Sequence, residues 1–255
     1  MFTKTIKLTF IALLISLLPL SSYAVNLKTA AQESEPKYTL GADGNMKGLC
    51  IDIMQAITKV DPSITFNGQE KFLPFKRLQV ELEKSKLDVF FGFKDSAKRL
   101  KQYNFLQLPL YQINYVVAVK IDDDVNVTSL EDILALEGKG KLLTVSSTGA
   151  SKFLDEKAGL IVDDNAKSTK AMLKKLIAGQ GRFAFYHDLG LQETVRSEGL
   201  GDKVKVLPVT FLTYYHYAAF SKNISADTVK QVENALNKVK SSGELAKIHN
   251  KYGLR

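Results

Sequence analysis

Residues 74–111 read PFKRLQVELEKSKLDVFFGFKDSAKRLKQYNFLQLPLY. Leu78 and Leu82 mark one face of an amphipathic helix. The run Asp88-Val89-Phe90-Phe91-Gly92 then reads as a buried strand that ends in glycine. A small polar loop, Lys94-Asp95-Ser96-Ala97-Lys98, leads to Arg99. This order places a permanently charged guanidinium just past the end of a buried strand, where open α/β sheets tend to bind ligands. Its planar fork suits a carboxylate. Taken without its context, Arg99 would pass for half of a surface salt bridge.

Helix-like and strand-like stretches alternate on both sides of this segment. Leu49, Ile53, Ile57 and Val60 predict a helix, and so do Val229, Val232, Leu236 and Val239. Short helices are expected over 129–136, 168–178 and 189–198, with Ser129 and Ser168 as caps. Strands are expected over 115–119, 142–145, 183–186, 204–207 and 217–220. Such alternation predicts mostly parallel sheets covered by helices. Thr148-Gly149-Ala150-Ser151 follows one of these strands and opens a helix, so its free amides favour an anion. An ordinary strand–helix turn would look the same.

The N-terminus carries Lys4 and Lys7, an apolar run from Leu8 to Leu20, and Ser22-Tyr23-Ala24. This is the layout of a secretion signal cut after Ala24. The apolar run is too short for a membrane anchor, and no cysteine follows the cut to carry a lipid. The formal charge of +8 falls to about +6 without Lys4 and Lys7. Basic residues are scattered among acidic ones, and the longest like-charge run is Asp122-Asp123-Asp124. Nucleic-acid binding is therefore disfavoured. Cys50, the single cysteine, reads as a buried thiol. His187, His216 and His249 lack metal-ligand spacing. No phosphate loop, dinucleotide fingerprint or Ser-His-Asp context is present, so no metal, cofactor or catalytic residue is expected.

The chain resembles the bacterial extracellular solute-binding proteins of family 3. The family's P-[WF]-D-R-L is matched by Pro74-Phe75-Lys76-Arg77-Leu78. Its D-L-I-A-G-M-[ST]-x-T-x-E-R is matched without a gap from Asp88 to Arg99, and its F-[ST]-x-P-Y by Phe105 and Pro109-Leu110-Tyr111. The resemblance implies an α/β, two-lobed periplasmic-binding-protein fold with mostly parallel sheets, a discontinuous first lobe and two hinge crossings. Residues 25–112 and 211–255 would form lobe 1, and residues 113–210 lobe 2. The crossings would lie near 111–117 and 205–215.

The resemblance also implies a ligand set. Arg99 would clamp a carboxylate, with Ser96 orienting its loop and Gly92 at the strand end. Phe75 would form an apolar wall, unless it is a plain core residue. Gly149, Ala150 and Ser151 would complete carboxylate binding from lobe 2, although Ala150 stands where the family has a hydroxyl. Asp188 would accept an ammonium, with His187 as rival because the local alignment is one residue short. An N-cap role for Asp188 is the plain alternative. Gln32, Glu35 and Lys94 depart from the family pattern, and Glu35 and Lys94 could accept an extra charge on the ligand.

The resemblance and the leader together imply an exported, monomeric, non-enzymatic protein of the periplasm. It would capture a small polar carboxylate, an amino acid or a relative, for an inner-membrane ABC permease by hinge closure. The alternatives are a sensor for a membrane receptor and a dehydratase-like enzyme on the same scaffold. The enzyme would have only Glu35, Asp188 and His187 as acids. A chain that stops at Arg255 leaves no room for an appended catalytic domain.

Overall fold

The computed structural model describes residues 24–32 and 34–254. The leader expected over 1–24 lies outside the described residues, apart from Ala24. Among the described residues no helix is long and apolar enough to cross a membrane.

Strand β1 (Val25–Lys28) pairs in parallel with β4 (Ile64–Asn67), and α1 (Leu49–Val60) connects them. Leu49, Ile53 and Ile57 recur at helical spacing, and all three are fully buried. A small antiparallel ribbon, β2 (Thr39–Leu40) with β3 (Met46–Lys47), precedes α1. Helix α2 (Phe75–Glu83) buries Leu78 and Leu82. It leads into β5 (Val89–Lys94), whose Phe90, Phe91 and Phe93 are fully buried.

After β5 come α3 (Ala97–Gln102), β6 (Tyr103–Phe105) and the ten-residue β7 (Tyr111–Lys120). The middle of the chain supplies α4 (Leu130–Leu134), β8 (Leu142–Val145), α5 (Gly149–Asp155) and β9 (Val162–Ala166). It continues with α6 (Thr169–Ile177), β10 (Phe183–His187), α7 (Asp188–Ser197) and β11 (Val204–Val206). The ten-residue β12 (Leu212–Ser221) returns the chain, and α8 (Ala226–Ser241) and α9 (Glu244–Lys251) close it.

The large sheet has the order β5-β12-β7-β10-β8-β9, with β6 also on β12 and β11 also on β7. The expected parallel character holds for β1–β4, β10–β8 and β8–β9 alone. β12 is antiparallel to β5, β6 and β7, and β7 is antiparallel to β10 and β11. The sheets are therefore not mostly parallel. The reason is the return path: β12 runs back beside the β7 that led away, and a returning strand opposes the outgoing one.

Apolar residues gather accordingly. One core is built from residues between Leu27 and Ile113 together with Ala218 to Leu254, joined by Leu189. Two others are built from the middle of the chain, on opposite faces of β7, β8 and β10. β7 and β12 link the two halves, and each changes partner along its length. Tyr115 pairs with Leu212 of β12 and with His187 of β10. His216 pairs with Tyr111 of β7 and with Lys94 of β5.

The edge strand β9 is tied to α6 by charge. Lys175 Nζ donates to both oxygens of Asp163 at 2.7 Å. That contact leads the effects that hold the Asp163 carboxyl down to about 2. A carboxylate depressed in the folded state stabilises fully above its unfolded value near 4. That contribution disappears as pH falls through about 2. Lys175→Met should therefore be less stable than the parent at pH 7. The two should converge in acid titrations followed by circular dichroism below pH 2. A constant gap at every pH would show that the ion pair is not the cause.

Candidate functional site

Arg99 sits one turn into α3, because the Lys94–Lys98 segment is not all loop. Ser96 caps the helix by accepting the Arg99 amide at 3.3 Å. The guanidinium turns back toward the strand end, where Nη1 donates to the Lys94 carbonyl at 2.7 Å. Its Cζ lies 4.9 Å from the centre of the Phe93 ring and 5.2 Å from that of Phe75. Phe75 itself packs edge-on to Phe93 at 5.5 Å. Two rings and one carbonyl thus fix the fork. Its remaining N–H groups meet no protein acceptor among the described residues. Partial burial lowers its pKa, as the first of the causes. An arginine stays charged regardless.

The deeper floor is built around Gly92, in β5. Its φ of +104° is open to glycine and strained for other residues. A Cβ there would lie 2.9 Å from the Tyr111 hydroxyl and 3.5 Å from Cys50 Sγ. It would also lie 3.9 Å from Cδ of Lys37. The Tyr111 hydroxyl pairs with His216 Nδ1 at 3.0 Å and with Cys50 Sγ at 3.6 Å. Tyr38 donates to the Phe91 carbonyl at 2.8 Å. Burial pushes the Cys50 thiol up to about 11 and drives His216 well below its usual range. Both are therefore neutral at pH 7. Lys37 is only 8 % exposed. Its ammonium has no ion pair or hydrogen bond among the described residues.

The other half approaches through aromatic residues. Lys94 Nζ sits 4.6 Å above the Tyr214 ring, Tyr214 lies 5.2 Å from Tyr115, and the Tyr115 hydroxyl stands where a Cβ on Gly149 would meet it at 2.8 Å. In the turn before α5, Thr148 accepts the Ser151 amide, and Ser151 Oγ donates to Asp164 Oδ2 at 3.0 Å. The Gly149 and Ala150 amides remain as first-turn donors without a helical partner. His187 caps α7 by accepting the Gly190 amide at its Nδ1, 2.9 Å away. The neutral ring therefore carries its proton on Nε2. Burial first, and then the charge of Lys37, holds its pKa at about 3.

The sequence model of the bacterial extracellular solute-binding proteins, family 3, matches residues 27–255. The chain belongs to that family. It is 25 % identical over 224 residues to a probable histidine-binding protein of Neisseria gonorrhoeae, across 86 % of this chain and 80 % of the relative. A probable amino-acid ABC transporter extracellular-binding protein from Bacillus subtilis superposes with a TM-score of 0.76 at 16 % identity, covering 89 % of this chain and 97 % of that one. A histidine kinase sensor domain with similarity to periplasmic binding proteins superposes at 0.70 and 18 % identity, covering 91 % and 98 %. These likenesses establish the fold.

In this family 3 protein, Arg99, Ser96, Lys94 and Phe75 lie together at the end of the strand that carries Gly92. Gly149 and Ala150 reach them through Tyr115 and Tyr214. Three candidates are placed otherwise. The Ser151 hydroxyl is taken by Asp164. Asp188 is not the N-cap of α7, and both its oxygens are engaged. They accept the Asn114 amide at 3.2 Å and Asn114 Nδ2 at 2.7 Å. The rival His187 caps α7 and feels the Lys37 charge. Glu35 is exposed and makes no ion pair among the described residues. Lys37 is not singled out by the sequence, although a lysine flanked by Pro36 and Tyr38 is an unusual polar residue in an otherwise buried stretch. That lysine is the available signal.

Proposed function

We propose that this protein is a periplasmic solute-binding protein that captures a small amino acid or related carboxylate and delivers it to an inner-membrane ABC permease. Residues 25–112 with 211–255 serve as one lobe and residues 113–210 as the other. Closure bends the β7–β12 crossing and brings the Gly149–Ala150 amides toward Arg99. The observation that carries this reading is the Arg99 fork. It is oriented by Phe93, Phe75 and the Lys94 carbonyl, has no carboxylate partner among the described residues, and stands at a strand end beside a partner switch.

Isothermal calorimetry of the mature protein against the amino acids tests it. Arg99→Ala should lose at least about 2 kcal/mol of binding, the scale of a truncated charge contact. Arg99→Lys should bind poorly too, since an ammonium cannot make the two-pronged contact. Unchanged affinity in Arg99→Ala would sink the assignment.

The fold shared with a kinase sensor domain supports a second reading, a ligand sensor for a membrane receptor. Uptake of radiolabelled ligand separates the two. A deletion strain that stops importing marks a transporter component. One that imports normally but no longer responds to the ligand marks a sensor.

A further inference from the structure

Arg99 accounts for one negative group on a ligand. A second cation lies deeper, on a different segment. Lys37 is 8 % exposed, its Cδ is 3.9 Å from the Cβ position of Gly92, and its charge is felt by Cys50, His187 and His216. The Gly92 contact and the Cys50 amide, which donates to the Lys37 carbonyl at 3.1 Å, place it at the floor of the first half.

Among the described residues no protein anion pairs with it. The Cys50 thiol is protonated at neutral pH, and Tyr38 and Tyr111 hold their protons because burial raises both. His187 and His216 are neutral. The nearest carboxylate by sequence on the other half, Asp188, is turned to Asn114. A buried ammonium with no counter-charge is costly, and burial lowers the Lys37 pKa accordingly. The rest of the site does not relieve it. Lys94 adds a further positive charge over Tyr214. None of Lys37, Lys94 and Arg99 is ion-paired among the described residues.

We propose that Lys37 is a second anion-binding point, so that the ligand is a small molecule with two carboxylates, one at Arg99 and one at Lys37. This rests on the solute-binding reading above. The chemistry is shared by acidic amino acids and by dicarboxylates without an amine. A ligand with a cationic side chain would set its charge against Lys37 in a poorly solvated space, where like charges cost most. A neutral amide would leave the ammonium unpaired.

The test is calorimetry of the mature protein with L-glutamate, L-aspartate, glutarate, succinate, L-glutamine, L-asparagine, L-arginine and L-histidine. The parent should prefer a diacid to the matching amide by at least ~30-fold, about 2 kcal/mol. In Lys37→Met that ratio should fall below ~3-fold, because the selective charge is gone. Lys37→Gln serves as a second variant, and thermal unfolding checks that both are folded. Glutamate against glutarate separates the two sources, since only the former carries an amine. Equal binding of acid and amide by the parent, or an unchanged ratio in both folded variants, overturns the assignment. So does a preference for arginine or histidine. If such a ligand binds and Arg99→Ala abolishes it, the solute-binding reading survives and the role of Lys37 does not. If none of these or any other amino acid binds, both fall.

Discussion

Phe93→Ala should cost about 3–5 kcal/mol of stability in urea denaturation, the range for deleting a fully buried aromatic ring. Phe93 is completely enclosed. Its ring meets Phe90 at 5.0 Å and both Phe75 and Tyr103 at 5.5 Å. Each such pair adds to the burial itself. The same ring lies 4.9 Å beneath Arg99. Folded Phe93→Ala should therefore also bind carboxylate ligands more weakly than the parent, although it removes no polar contact. A loss below about 1 kcal/mol would mean that the neighbours collapse into the space, contrary to the dense ring cluster.

Gly92→Ala should be almost as damaging. A side chain at a φ of +104° is strained, at about 1–3 kcal/mol. The added methyl would also press on the Tyr111 hydroxyl from 2.9 Å, at roughly 1–3 kcal/mol for overpacking. The two effects have separate signatures. Removing the hydroxyl with Tyr111→Phe relieves the collision and leaves the backbone strain. In a double-mutant cycle, Gly92→Ala should then cost less in the Tyr111→Phe background than in the parent. Strict additivity would show that contact with Tyr111 is not part of the cost.

Much of the helical framework is legible in the sequence because its signals are local. Leu49, Ile53 and Ile57 repeat at one helical spacing. Ser129, Ser168 and Ser225 each cap the helix that follows. The Phe90–Phe91–Gly92 run reads as a strand from burial alone. What is not legible depends on partners far along the chain. No property of residues 212–221 reveals that they lie between β5 and β7, so the antiparallel crossing is hidden. The Asp188–His187 choice turns on a single residue of register at a strand end, which decides the face a side chain takes. Arg99 stands out in the sequence because the motif around it is contiguous. Lys37 is missed because its surroundings come from far along the chain: its charge acts on Cys50, His187 and His216, in three different elements.

The place of β12 has a consequence for the order in which the chain can acquire structure. β5 has β12 as its sheet neighbour, and the first core is completed by Ala218, Ala219, Phe220 and the helices that come after them. The phenylalanines of β5 must therefore wait for a segment more than a hundred positions downstream, whereas the middle of the chain can collapse on neighbours already at hand. Contacts that close such long loops form late and slowly. The half that holds Arg99 and Lys37 thus depends on a stretch synthesised well after it, and until that stretch arrives the phenylalanine-rich β5 lacks its sheet neighbour.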